Sequence, residues 1–428
     1  MIDIKLIREN KELIKENIKK KFQDEKLTLV DEVYDLDIEF RKIKTEADEA
    51  RNKVNALSKE IGSLMRDKKI EEANNIKEEV ASIKASIPVL EQKEEELEKE
   101  IKQKMMVIPN IIDDSVPIGK DDNENVEIEK FGEPVVPSYE IPYHADILES
   151  INGLDKESSG RTSGNGFYYL MGDAARLSSA MLSYARDFMI DKGFTYCIPP
   201  FMIRSDVVTG VMSFKEMDAM MYKIEGEDLY LIGTSEHSMI GKFKDQLLKE
   251  DCLPYNLTSY SPCFRKEVGA HGIEERGIYR VHQFEKQEMV VICKPEESMD
   301  WYHKMWKYTV ELFRNLNIPV RTLECCSGDL ADLKVKSCDV EAWSPRQQKY
   351  FEVGSCSTLG DAQSRRLGIR AKGENGNYYP HTLNNTVLAS TRALIAFLEN
   401  NINEDGSINI PEALRMYMGG KDKIMPNK

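Results

Sequence analysis

The sequence has little that would suit a membrane or an oxidising compartment. No apolar run approaches the roughly 18–20 residues of a bilayer span. The opening Met1–Asn10 mixes both charge signs around short apolar steps, with no cleavage signal. None of the eight cysteines stands in a CxxC pair, so neither a zinc ribbon nor a thioredoxin-like centre is indicated. Their number without a secretory signal fits reduced thiols, and a cytoplasmic setting is expected. GxxxxGK[ST] and GxGxxG are both missing, which disfavours P-loop and Rossmann nucleotide binding. Excess positive charge is lacking too. The 59 Lys and Arg against 74 Asp and Glu give a net −15, which argues against a generic nucleic-acid coat but leaves room for a local basic patch.

What is present is an ordinary globular composition, 41% apolar and 31% charged over 428 residues, enough for more than one domain. The charge is uneven. Of residues 1–104, 49 are charged, 23 basic and 26 acidic, and this stretch holds no cysteine. The shift in composition places a boundary near 105–110, giving an amino-terminal unit 1–107 and a second unit 108–428.

Within the first unit, Val33, Leu36, Phe40, Ile43, Ala47, Ala50, Val54, Leu57, Ile61 and Leu64 recur at 3-4 spacing, the seam of a coiled coil. The pattern breaks at Arg66–Lys69 and resumes at Ala73, Ile76, Val80, Ile83, Ile87, Leu90, Leu97 and Ile101, with Glu94 interrupting it. Two helices over about 30–104 must fold back on each other to hide both seams, and Pro88 is expected to kink the second or shift its register. The first arm would be ~50 Å long. Its distal segment 51–69 carries Arg51, Lys53, Lys59, Arg66, Lys68 and Lys69 against two acids, a net +4 where a phosphate backbone would touch. A solvated helix face is the bland alternative.

Pro and Gly at 109–134 favour extended chain. Beyond them, strand-like runs at 228–233, 257–266, 278–293 and 349–353, with helices at 173–190 and 388–400, suggest an α+β domain around an antiparallel sheet flanked by helices. Chemistry gathers in three stretches. In the first, alternation along a strand turns Arg265 and Glu267 to one face. A loop at 268–277 leads to a second strand, 279–288, bearing Val281, Phe284 and Glu288. Arg265 can bind phosphate bidentately and Phe284 can stack on a base. The second stretch, Glu352-Val353-Gly354-Ser355, sets a carboxylate and a hydroxyl close enough to share a Mg²⁺. The third, Asn384-Asn385-Thr386, reads as a polar turn leading into a helix with Arg392 near its start, suited to a terminal phosphate. Singly, each is weak; a surface hairpin with cross-strand ion pairs would explain the first.

Together and in order, these stretches resemble bacterial-type seryl-tRNA synthetase, a class II aminoacyl-tRNA synthetase, over essentially the whole chain. The matches are the MIDIKLIREN opening, the helical hairpin, VPIG, GFTYCIPP as motif 1, Thr234-Ser235-Glu236 as the TxE element, FRKE…GIYRVHQFEKQE as motif 2, EVGSCS, and LNNTVLASTRALIAFLEN as motif 3. The resemblance implies activation of L-serine by ATP to seryl-adenylate, then transfer to the 3′ end of tRNA(Ser). It implies a class II antiparallel-sheet domain with an amino-terminal helical arm. Arg265 would hold the α-phosphate and the serine carboxylate, and Glu267 the adenine amino group. Lys266, Val281, Phe284, Glu352, Val353, Gly354 and Ser355 would complete the ATP site, with Arg392 at the γ-phosphate. Glu352 and Ser355 would serve Mg²⁺; no zinc is expected. Thr234, Ser235 and Glu236 would take the serine amino group, and Glu288, Asn384 and Thr386 would line the side-chain pocket. The arm would meet the long variable arm of the tRNA from the other subunit of a homodimer, with no membrane partner.

The chain departs from the resemblance at three places. His237-Ser238 follow the TxE element where Val-Pro is common, Gly354 stands where serine is frequent, and Asn385-Thr386 where Gly-Ser is frequent. Two rival readings remain at this stage: a synthetase that charges a carrier or small molecule, and an inactive binding paralogue. The intact arm speaks against the first, and the presence of Arg265, Glu288 and Arg392 against the second.

Overall fold

The computed structural model describes residues 1–267 and 277–427. The chain forms two compact units, Ile2–Pro109 and Asn110–Lys428 together with Met1. The expected loop 268–277 therefore lies, except for Gly277, outside the described residues.

The first unit is helical: α1 (Ile4–Lys20), α2 (Leu27–Arg66) and α3 (Ile70–Met105). The antiparallel pair α2/α3 buries the seam where the 3-4 spacing puts it, at Val33, Ile43, Ala47 and Val54 on one helix and Ala73, Val80 and Leu97 on the other. The chain reverses at Asp67-Lys68-Lys69, with Lys68 left-handed at φ +59°. Pro88 does not end the helix; α3 runs through it as one element. Pro88 and Lys84 both sit on the exposed face, so the Lys84 carbonyl that loses its partner opens to water. Glu94, the interruption in the seam, is half-buried and reaches Lys44 at 3.5 Å.

The spacing did not mark one charge inside this unit. Asp37 is buried on α2 and accepts from Arg8 Nη2 at 2.6 Å and Nε at 2.8 Å, and from Arg41 Nε at 2.9 Å. Burial alone would raise its pKa, but the two guanidiniums outweigh burial and hold it below the usual carboxylate range. Its contribution to stability is therefore complete above the unfolded-state carboxyl pKa and is lost as pH falls through the lowered folded value. Arg8 and Arg41 are 34% and 50% exposed and can rehydrate. Asp37→Ala should accordingly cost about 1–2 kcal/mol, less than the ~3–5 of a fully buried pair. Denaturant unfolding of the full chain followed by helical circular dichroism checks this; an unchanged transition would refute it.

The second unit is built on an eight-stranded sheet: β1 (Val126–Phe131), β2 (Thr195–Tyr196), β3 (Tyr255–Phe264), β4 (Gln283–Cys293), β5 (Val320–Glu324), β6 (Lys336–Ser344), β7 (Lys349–Thr358) and β8 (His381–Ala389). The order is β1-β5-β6-β7-β8-β4-β3-β2. Every neighbouring pair is antiparallel except β2 and β3. Helices α4 (Gly172–Asp191), α5 (Ser298–Asn315), α6 (Ala362–Leu367) and α7 (Ser390–Asn401) pack around it. On β4, Met289 and Val291 join a core with Met181, Met305 and Phe397, while Val290 and Ile292 join another with Met239, Ile240 and Leu367. Both faces are covered at that point, so the strand reads as a continuous apolar run.

Three local expectations are corrected. The strand expected from 278 starts at Gln283, leaving Tyr279–Val281 as irregular chain. The strand expected to carry Arg265 ends at Phe264. The polar turn expected at 384–386 is the middle of central strand β8. Cap-forming residues misled there because helix α5 takes up the Asn385 amide nitrogen: Nδ2 donates to the Met305 carbonyl at 2.8 Å and to Thr309 Oγ1 at 2.9 Å. All eight cysteines are unpaired, and no helix among the described residues is long and apolar enough to cross a membrane.

Candidate active site

Two β-bulges shape the site. Between β6 and β7 the register slips so that Val353 has no partner, and between β8 and β4 the same happens at Val387. Each bulge resets the alternation of side chains. Glu352 and Ser355, an odd number of residues apart, are thereby brought to line one cavity while Val353 packs into the core. Val387 and Leu388 likewise both enter the core, which leaves Thr386 at the cavity wall opposite Glu288.

Two cavities result, of about 140 and 350 Å³, and they share Arg265, Lys286, Glu352 and Thr386. The smaller is lined further by Glu267, Val281, Phe284, Gly354 and Arg392. The larger is lined further by Thr234, Glu236, His237, Glu288, Ser355 and Asn384. Arg265 and Glu267 face the same cavity although both lie beyond the end of β3, so strand alternation is not the reason. The guanidinium of Arg265 sits 5.4 Å over the Phe284 ring, and Nε donates to the Gly233 carbonyl at 3.2 Å. Glu267 holds a left-handed φ of +42° and pairs with Arg280 at 3.7 Å. Such a conformation in a non-glycine residue stores strain that the surroundings must hold.

Arg392, in the first turn of α7, donates through Nη1 to Glu352 Oε2 at 2.9 Å and stacks 5.0 Å over Tyr279. On the other side, Glu288 is 1% exposed and forms a very short ion pair with Lys286, itself 5% exposed. Thr386 Oγ1 donates to Glu288 Oε2 at 3.5 Å. Lys286 escaped the sequence reading, although its place between Phe284 and Glu288 at alternate positions was a signal that it shares their face. Burial and the nearby Glu288 push the Glu236 carboxyl up to about 7. Burial and the neighbouring cations Lys286 and Arg265 push His237 down to about 3, so its ring is neutral.

The side chains of Ser235 and Lys266 do not line either cavity. Ser235 Oγ is fully buried and donates to the Ser259 carbonyl at 3.5 Å, and Lys266 Nζ donates to the Asp218 carbonyl at 3.3 Å. The six basic residues of the helical hairpin belong to the other unit. Arg51 pairs with Asp48 and Glu91, Lys53 with Glu79 and Lys69 with Glu72. Lys59, Arg66 and Lys68 make no ion pair among the described residues.

Two of the sequence departures are neighbours. A Cβ added at Gly354 would come within 3.2 Å of the Thr386 carbonyl and 3.6 Å of the Thr386 Cβ. The Thr386 carbonyl is itself held by Thr309 Oγ1 at 2.8 Å. For a divalent cation, Glu352 and Ser355 offer hard oxygen donors, and Asp339 stands opposite Ser355 in the register of β6 and β7. This donor set suits Mg²⁺. Cys325, Asp329 and Asp339 also converge to within 4.8 Å. Burial and the Glu352 charge push Asp339 up to about 6, against the opposing pull of Lys334.

Residues 220–401 match the family model described as tRNA synthetase class II core domain (G, H, P, S and T), and residues 1–112 match Seryl-tRNA synthetase N-terminal domain. The chain is 37% identical to a serine–tRNA ligase of Methanoculleus marisnigri over 99% of its own length and all of the relative's. It is 41% identical to that of Pyrococcus horikoshii over 100% and 98%. Among solved structures it superposes on the seryl-tRNA synthetase of Pyrococcus horikoshii complexed with ATP with a TM-score of 0.94 at 40% identity, covering the whole of both chains. On the cytoplasmic serine–tRNA ligase of Naegleria fowleri in complex with AMP the TM-score is 0.89 at 31% identity, over 100% and 99%. With class II core, seryl amino-terminal domain and full-length similarity all in agreement, the chain belongs to the seryl-tRNA synthetase family.

Proposed function

We propose that this chain activates L-serine with ATP and transfers the seryl group to the 3′ end of tRNA(Ser). The observation that carries the reading is the wall of Arg265, Lys286, Glu352 and Thr386 shared by the two cavities. One side offers an aromatic ring and guanidiniums for a nucleotide. The other, larger cavity presents carboxylates and hydroxyls to an amino acid. A serine carboxylate and an α-phosphate would meet at that wall. The Pyrococcus horikoshii relative's complex with ATP supports the same assignment.

In the first step a serine carboxylate oxygen attacks the α-phosphorus and pyrophosphate leaves. In the second, a hydroxyl of the terminal adenosine attacks the seryl carbonyl and AMP leaves. Neither step needs a protein nucleophile, so positioning and charge stabilisation supply the acceleration. Phe284 and Val281 bound the adenine, with Glu267 accepting from its amino group. Arg265 holds the α-phosphate, and Arg392, exchanging Glu352 for substrate, holds the γ-phosphate. Glu236 and Thr234 take the serine ammonium, and Glu288, Thr386 and Asn384 surround the hydroxyl. Such a pocket leaves polar groups unpaired when alanine enters, which rejects it strongly. Glu352 and Ser355 would hold Mg²⁺, whose charge would offset that of the phosphates.

The hairpin is assigned to the long variable arm of the tRNA, in a homodimer. Reversing Lys53, Lys59, Lys68 and Lys69 to glutamate should raise the KM for tRNA by about tenfold or more and flatten its salt dependence. Serine-dependent pyrophosphate exchange should stay within about twofold, because that step uses no tRNA. Equal loss of both activities would overturn the division of labour. The Lys59 and Lys68 reversals alone should show the same direction, without breaking the Lys53–Glu79 and Lys69–Glu72 pairs.

A further inference from the structure

Gln363, in α6, is fully buried, and all of its amide hydrogen-bonding capacity in view is directed. Its Nε2 donates to Glu236 Oε1 at 2.9 Å and to the Val211 carbonyl at 3.2 Å, and its Oε1 accepts from Thr382 Oγ1 at 2.6 Å. Thr382 is itself fully buried on β8. The orientation of this amide follows from the partners. A flipped Gln363 would set its oxygen against the Val211 carbonyl, which only accepts, and against the Glu236 carboxylate, which only accepts while ionised. Thr382, donating from the far side, completes a chain Thr382 → Gln363 → Glu236 that ends in the larger cavity.

We propose that Gln363 is a positioning residue for serine. Its amide, locked by Thr382, occupies one oxygen of Glu236 and turns the other toward the substrate ammonium. The inference rests on the assignment of Glu236 to that ammonium. Two consequences follow from the chemistry. A Glu236 free to rotate in a cavity with Lys286 and Lys334 within electrostatic reach has competing cations to pair with, and a fixed one does not. The donated hydrogen bond also favours the charged carboxylate, which burial and Glu288 oppose. The remaining neighbour, His237, is neutral and adds no charge.

The test is serine-dependent pyrophosphate exchange as a function of pH. In the parent chain the KM for serine should rise as pH falls through about 7, where Glu236 takes up a proton. Gln363→Met keeps the length and removes the donor. It should raise the serine KM about tenfold or more, leave the KM for ATP within about twofold, and move the rise in serine KM to higher pH. Thr382→Val, which unlocks the amide without removing it, should shift the profile in the same direction by less, and Thr382→Ser, which keeps the hydroxyl, should restore it. The threonine pair keeps the inference testable if Gln363→Met fails to fold. Parent-like serine KM and pH profile in Thr382→Val, or losses of serine and ATP affinity in equal measure, would overturn the positioning role. Absence of serine-dependent exchange in the parent chain would instead overturn the functional reading beneath it.

Discussion

Arg265→Ala should lower serine-dependent pyrophosphate exchange by about a thousandfold, the scale of removing a preorganised charge from a developing transition state. Arg265 is the guanidinium common to both cavities, and no ion pair among the described residues competes for it. Its Nε is spent on the Gly233 carbonyl and its face on Phe284, which fixes the plane and leaves the terminal nitrogens for substrate. Arg265→Lys should rescue little, because an ammonium cannot make the fork or the stack. The side chain supports few structural contacts, so the variant should remain folded. Steady-state exchange kinetics with a parallel thermal melt would decide it. Activity within tenfold of the parent would mean that the α-phosphate is held elsewhere.

Substitution of Glu288 should be nearly as costly, and through a different substrate. Glu288→Ala leaves Lys286, 5% exposed, without its partner in the cavity wall. Stranding a buried charge costs about 3–5 kcal/mol of stability. Glu288→Gln is the cleaner probe, since it keeps the volume and one acceptor. It should raise the serine KM by about a hundredfold while the KM for ATP changes little, because Glu288 lines only the larger cavity. It should also relax the preference for serine over alanine, as the pocket's demand for a hydroxyl weakens. A matching collapse in ATP affinity would remove Glu288 from the serine pocket.

How much of this was legible in the residues differs between the units. The helical hairpin could be read almost to its ends, because a two-helix seam is a local, periodic problem that burial solves in only one way. What could not be read there was tolerance. Pro88 passes unbroken since it falls on the wet face, and Asp37 is buried because Arg8 and Arg41 converge on it. In the sheet unit, β4 declared itself by an apolar run and α4 by amphipathic spacing, whereas β8 was mistaken for a turn since α5 takes up the Asn385 amide nitrogen. Glu352 and Ser355 share a cavity through the bulge at Val353, which no spacing rule announces. Lys286 was visible in principle, two residues from Glu288, and Gln363 was not. Its importance comes from a contact with Glu236 across more than a hundred positions of chain.

The measurement that bears most directly on the central claim is ATP-dependent attachment of labelled serine to tRNA by the purified chain. Threonine and alanine would run alongside, with pyrophosphate exchange measured in the absence of tRNA. The account predicts exchange with serine alone, and charging of serine to tRNA, with alanine rejected in both. Exchange without charging would contradict it and point to a different acceptor for the activated serine, while neither activity would show that the shared wall of Arg265, Lys286, Glu352 and Thr386 no longer serves catalysis.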